Sequence, residues 1–260
     1  MLKSIRMQIA LLAIVPLLAY VVATFIALNE AYTESRIASE IYPTALVAEK
    51  SEALLHELQK ERGRSAVLLA SGYADTPKDL LAKQRGATDA ALEDLRQTVA
   101  TVKISNTKLQ DEIQATVSGR DEVVAHRSGI DSAILGGQQN LAFYSGKIRD
   151  LIKIVQEAQH ASAAPEYAGQ MTPFLLLTEA IEAGGLERAI GGQLFTIVGK
   201  TGDVPNDRFL AYFDRLSVER AFLSNFRSVA TPQEIATFAA AVSGPAVDQV
   251  KEWRTVLSAL

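Results

Sequence analysis

The sequence has no cysteine, only three histidines, one tryptophan and no dominant sign of charge, with 26 Lys and Arg set against 30 Asp and Glu. The missing cysteine excludes disulfide staples and thiol nucleophiles, and it removes the best ligands of a structural zinc. His56, His126 and His160 have no ligand-like spacing to one another. No HExxH pair, nucleophile elbow or phosphate loop occurs either. No catalytic residue, metal site or cofactor is therefore expected, and the chain reads as a protein other than an enzyme. A net charge of −4 argues against a nucleic-acid partner, which calls for a basic face. No period-2 run of β-branched residues is long enough to argue a sheet.

The apolar residues are unevenly spread. Ile9 to Leu28 reads IALLAIVPLLAYVVATFIAL without one charge. Twenty residues of helix span roughly 30 Å, the thickness of a bilayer core. Lys3 and Arg6 precede the run and Glu30 and Glu34 follow it, so the expected orientation keeps the N-terminus inside. The division expected from this is a cytoplasmic N-terminus at 1–8, a transmembrane helix at 9–28, a juxtamembrane helix at 29–44 and a helical domain at 45–260. Residues 29–260 would then lie outside the cell membrane of a bacterium, periplasmic or extracellular. A cleaved signal peptide and a buried soluble helix are the other readings of the same run.

Beyond the run, almost every segment reads as helix. Ala45 to Ser71 is amphipathic, with Gly72 marking its end. Thr76 before Pro77 is a candidate N-cap, and helical pattern continues to about Val117 before Ser118-Gly119 interrupts it. A helix is expected from Arg120 to about Ala161, a linker over 162–169, and a new start at Thr172-Pro173. Gly199 to Asn206 is a turn-rich gap. Thr231-Pro232 with Glu234 opens a short helix, and Ser243-Gly244-Pro245 breaks it. The chain ends within an apparent helix, which suggests a piece of a longer receptor. Six or seven such helices suit a bundle.

Arginines occupy positions where apolar residues are expected. Leu55, Leu58, Ser65 and Leu69 fall at heptad spacing, and Arg62 stands between them on the same stripe. A buried guanidinium must be paired or must meet an anion. Glu61 beside it points about 100° away, so it is no automatic partner. Arg188 follows Leu177, Ile181 and Gly184 on a second stripe, surrounded by Gly184, Gly185, Gly191 and Gly192. Glycine costs about 1 kcal/mol in a helix interior, so the cluster suggests room for another helix or a small ligand. Arg220 continues a third stripe with Leu216 and Leu223. Arginine forks suit planar oxyanions. Interhelical salt bridges are the competing reading, with Asp89 and Glu179 as internal partners.

The segments LQKERGRSAVLLASG at 58–72, QRGATDAALEDL at 84–95 and EAGGLERAIGGQLF at 182–195 resemble the nitrate- and nitrite-sensing domain family of bacterial transmembrane receptors. That resemblance implies an all-α sensor made of two coaxial four-helix bundles sharing long helices. It also implies a site for nitrate or nitrite lined by arginines, and signalling through a homodimer to an output of chemoreceptor, kinase or cyclic-dinucleotide type. The early Glu-Arg motif carries over to Arg62 and the later one to Arg188. Some members have a second arginine directly after the first; here that position is Gly63. The expected ligand contacts are Arg62, Arg188, Arg220 and the Thr88 hydroxyl, with Asp89 holding a guanidinium and Gly191 and Gly192 leaving space. A generic helical sensor for an organic acid or amino acid, and a ligand-free partner-binding scaffold, are the alternatives.

Overall fold

The computed structural model describes residues 5–160 and 165–259, and every regular element among them is helical. The helices are α1 (Ile5–Ser71), α2 (Asp75–Thr101), α3 (Thr107–Ser118), α4 (Arg120–Asp131) and α5 (Gly137–His160). They are followed by α6 (Pro165–Thr201), α7 (Asn206–Val229), α8 (Pro232–Ala241) and α9 (Pro245–Ser258).

Residues 1–43 form one compact unit and 44–260 another. In the first, the described side chains from Ile14 to Leu28 are exposed, Phe25 and Tyr20 among them. By length and composition alone this part of α1 is apolar enough to cross a membrane. The expected divisions at residues 28 and 44 have no counterpart in secondary structure, since α1 is helical through both and contains Pro16 and Pro43.

α1 closes where Gly72 predicts. Gly72 and Tyr73 are both left-handed, at φ +72° and +67°. The Tyr73 N–H donates to the Leu68 carbonyl at 3.2 Å and the Gly72 N–H to that of Leu69 at 3.4 Å, the two closing bonds of a Schellman turn. α2 begins at Asp75 after an Ala74 cap, so Thr76 is inside the helix and not its cap. Pro77 is still in the first turn, where a missing N–H costs nothing.

The predicted helix through Val117 is broken at 102–106, where Asn106 accepts from the Leu109 N–H and starts α3. The break at Gly119 is present. The long helix expected from Arg120 ends at Asp131, where the N–H groups of Ile134 and Leu135 fold back onto the Gly129 carbonyl. Thr172-Pro173 does not start a helix either, because α6 has begun at Pro165. The first part of the expected linker at 162–169 lies outside the described residues, and its remainder is helical. Thr231 caps α8 with a full capping box through Glu234.

The second unit has two apolar clusters. The larger gathers Leu55 and Leu58 of α1, Leu95 of α2, Ile113 of α3, Ile130 of α4 and Leu151 of α5, with Met171 and Leu175 of α6 against it. The smaller joins Ile190 and Leu194 of α6 to Tyr212 of α7 and Leu257 of α9. α6 thus contributes to both. The second cluster is built from three helices among the described residues, one fewer than the implied four-helix bundle.

Candidate anion site

Gln59, Gly63, Ala66, Val67 and Ala70 recur at three- and four-residue spacing and form one face of α1. Gly185, Arg188, Ala189 and Gly192 do the same on α6. Between these faces lies a cavity of about 490 Å³. Its charged lining residues are Lys60, Arg64 and Arg188, and no carboxylate lines it. Three further cavities have walls of mixed sign, and a neighbouring one has Arg208 as its charged residue.

Arg188 is exposed and has no ion-pair partner among the described residues. Arg64 donates to the Leu80 carbonyl at 2.8 Å, and Lys60 to Glu57 at 2.6 Å. Small residues make the space. A Cβ at Gly63 or Gly192 would meet nothing within 4 Å, while one at Gly185 would come within 3.0 Å of Arg62 Nη2.

Arg62 lies behind Gly185 with 1% of its surface exposed. Its Nη1 donates to Glu182 Oε1 at 2.6 Å and to Ser145 Oγ at 2.9 Å, and its Nη2 to Glu182 Oε2 at 3.0 Å. Gln59, a cavity wall residue, donates to the same Glu182 Oε2 at 2.8 Å. Arg62 is therefore buried as its stripe predicts, but it is already paired. Its partner is Glu182 and not Glu179, which accepts from Gln156, nor Asp89, which accepts from Arg127.

The remaining expected contacts are dispersed. Thr88 is buried and lines a different cavity, of about 270 Å³, together with Asp89; its hydroxyl donates to the Gln84 carbonyl at 3.2 Å. Arg220 is exposed and lines neither of these cavities, because it is Glu219 that turns inward at that point of α7. Gly191 is a packing glycine: a Cβ there would lie 3.3 Å from the Tyr212 ring. Gly192, by contrast, borders the cavity.

Three charged residues escaped the sequence reading. Arg127 reaches Glu61 through Nε at 2.7 Å and Nη2 at 2.9 Å, and Tyr144 donates to the same carboxylate at 2.7 Å. Burial alone would raise the Glu61 carboxyl, but Arg127, with the Thr88 and Tyr144 hydroxyls, holds it below the ordinary value. Arg254 of α9 is bonded to both Glu187 of α6 and Glu219 of α7. Glu182 is the third. The spacing of Val250, Arg254 and Leu257 hinted that Arg254 faces inward; nothing local marked the other two.

Among the described residues no group of His, Asp and Glu is placed to hold a metal. His126 stacks on Phe143 with ring centroids 3.9 Å apart, an ordinary core role.

Residues 53–259 match the family described as nitrate and nitrite sensing. The nitrate regulatory protein of Klebsiella oxytoca is 27% identical over 199 residues, covering 74% of this chain and 48% of that protein. The chain thus spans about half the length of the curated relative it matches. The structure of the NasR transcription antiterminator superposes with a TM-score of 0.68 at 23% identity, over 91% of this chain and 62% of that one. The likeness is one of fold.

These relatives correct the expected protein type. They are a nitrate regulatory protein and a transcription antiterminator, not membrane receptors. The receptor and chemotaxis reading is withdrawn, and with it the anchor at 9–28 and the placement of 29–260 outside the cell. A single apolar helix beside the N-terminus, marked only by length and composition, is too little to retain them. Nor does the exclusion of nucleic acid, drawn from net charge alone, stand beside an antiterminator relative. The names of these relatives, a nitrate regulatory protein and a transcription antiterminator, are those of regulatory proteins and not of enzymes. With the family's match running over most of its length, the chain belongs to the nitrate and nitrite sensing family.

Proposed function

We propose that this chain is the sensing part of a regulatory protein, and that it binds a small oxyanion, nitrate or nitrite, in the cavity between α1 and α6. The supporting observation is the wall of that cavity, where Lys60, Arg64 and Arg188 stand without one carboxylate. Arg188 is the primary contact, since its guanidinium is uncommitted. Arg64 and Lys60 supply field and further donors, and Gly63 and Gly192 supply room. Thr88 and Arg220 have no part in this site.

Calorimetric titration of the 260-residue chain with nitrate and nitrite tests the reading, with chloride and sulfate as controls. Saturable binding of nitrate or nitrite is expected, lost in R188A and kept in R220A. Equal binding in folded R188A and R220A would remove the assignment. A second reading has its own support: about 490 Å³ lies in the range of sites for organic ligands. Binding of a carboxylate such as citrate in preference to nitrate would favour it.

A further inference from the structure

We propose that Glu182 is a built-in competitor of the anion, exchanging between Arg62 and a second set of cations as the ligand arrives. The proposal rests on the cavity site just described and gives that site a way to signal.

Glu182 stands between two positive environments. On one side it is clamped by both terminal nitrogens of Arg62 and by Gln59. On the other it lines a separate cavity of about 370 Å³ whose walls carry Arg149 and Lys153 of α5 and Arg215 of α7, with Glu179 of α6 as the one other acid. Arg149 forms no ion pair among the described residues, and Arg215 reaches only its chain neighbour Asp214, at 2.6 Å. A carboxylate leaving Arg62 therefore finds three replacement cations around a cavity that it already lines, against one competing acid.

The anion has a route to the vacated guanidinium. Gly185 stands between the first cavity and the buried Arg62, and any side chain there would press on Nη2. Gln59 belongs both to the cavity wall and to the Glu182 clamp, so an anion displacing it loosens Glu182 in the same step. In the exchanged arrangement the anion is shared by Arg188 and Arg62, and Glu182 pairs with Arg149 and Arg215. Arg62 and Glu182 each keep an opposite charge in both arrangements, which differ in whether α6 is tied to α1 or to α5 and α7. A ligand shifts such an equilibrium only by its preference for one state, and here the preference is for a freed Arg62.

The test is calorimetric titration with nitrate and nitrite of the 260-residue chain, E182Q, R188A and the double variant R149A/R215A. Glutamine keeps the Gln59 bond and the shape of the side chain while removing the competing charge. E182Q is expected to bind about fivefold tighter or more, the lower end of ordinary coupling between sites. R149A/R215A changes residues outside the Arg62 clamp and is expected to bind weaker by a similar factor. It carries the test alone if E182Q does not fold. A merely structural Glu182 predicts unchanged or weaker binding in E182Q. That result, or unchanged binding in the double variant, with binding still lost in R188A, overturns the exchange and leaves the site. No saturable heat in any of the four overturns both.

Discussion

Glu61 and Arg62 are consecutive in α1, both essentially fully buried, and neither neutralises the other. Glu61 is held by Arg127 of α4 and Tyr144 of α5, and Arg62 by Glu182 of α6 and Ser145 of α5. The helical step of about 100° sends their side chains to different neighbours. Opposite charges one residue apart can therefore serve two separate interfaces.

Removing Glu61 takes from the buried Arg127 its two-pronged buried partner and leaves it only the exposed Asp89 carboxylate. E61Q should lose about 3–5 kcal/mol of stability at neutral pH, the usual cost of breaking a buried ion pair. Urea unfolding followed by circular dichroism measures it. The folded carboxyl is held below the ordinary 4.5, so its contribution is complete above that value and disappears as pH falls through the folded value. The gap between wild type and E61Q should therefore narrow in acid.

Glu52 has the opposite sign. Burial raises its carboxyl, and the nearby His56 and the Thr178 hydroxyl only partly offset this. A raised folded value favours the protonated form. Stability from this group is thus present below 4.5 and lost as pH rises through the folded value. E52Q should be more stable than wild type at neutral pH, with the advantage fading toward pH 4. Thermal melts across that range would show a wild type that never falls behind if the assignment is mistaken.

Gly63 and Gly86 both sit in helix interiors, and a Cβ at either meets nothing within 4 Å. G63A and G86A should each gain about 0.5–1 kcal/mol through helix propensity. Only position 63 borders the cavity. G63L should therefore abolish nitrate binding and G86L should not, a contrast that stability alone cannot produce.

The cap of α8 offers a local test. Thr231 accepts from the Glu234 N–H at 3.3 Å, and its own N–H donates to the Glu234 carboxylate at 2.7 Å. T231A should cost about 1 kcal/mol. α8 buries no residue, so the loss should stay within it. Amide exchange should quicken over 232–241 and hold steady in α7.

What could be read from the sequence was what local chemistry decides. Gly72, Thr231 with Glu234, and Gly244 each mark a helix end that exists, because a left-handed residue or a cap needs no distant partner; Gly119 marks one too, at an ordinary φ of −74°. The break after Thr101 carries no glycine or proline and was invisible. Thr172-Pro173 has the form of a helix start yet lies inside α6, where packing overrides the signal. In the site, the stripe placed Arg62 correctly in the interior, whereas Arg188, set on a core stripe by the same spacing, is exposed. The partners were not legible. Glu182 is one turn past the Glu179 favoured by sequence and 120 residues from Arg62, a pairing that no periodicity encodes. Arg220 failed by a single position, which on a helix is enough to exchange an inward glutamate for an outward arginine.

Tyr144 and Ser145 give α5 a hold on both networks, one residue for each. The division resembles that of a machine with a stator and a moving part. The Glu61 network fastens α4 and α5 to α1 without involving α6. The Arg62 network adds α6, held by an acid that has somewhere else to go. Displacement that begins at Arg62 is thereby delivered to α6, while the frame it moves against stays bolted together.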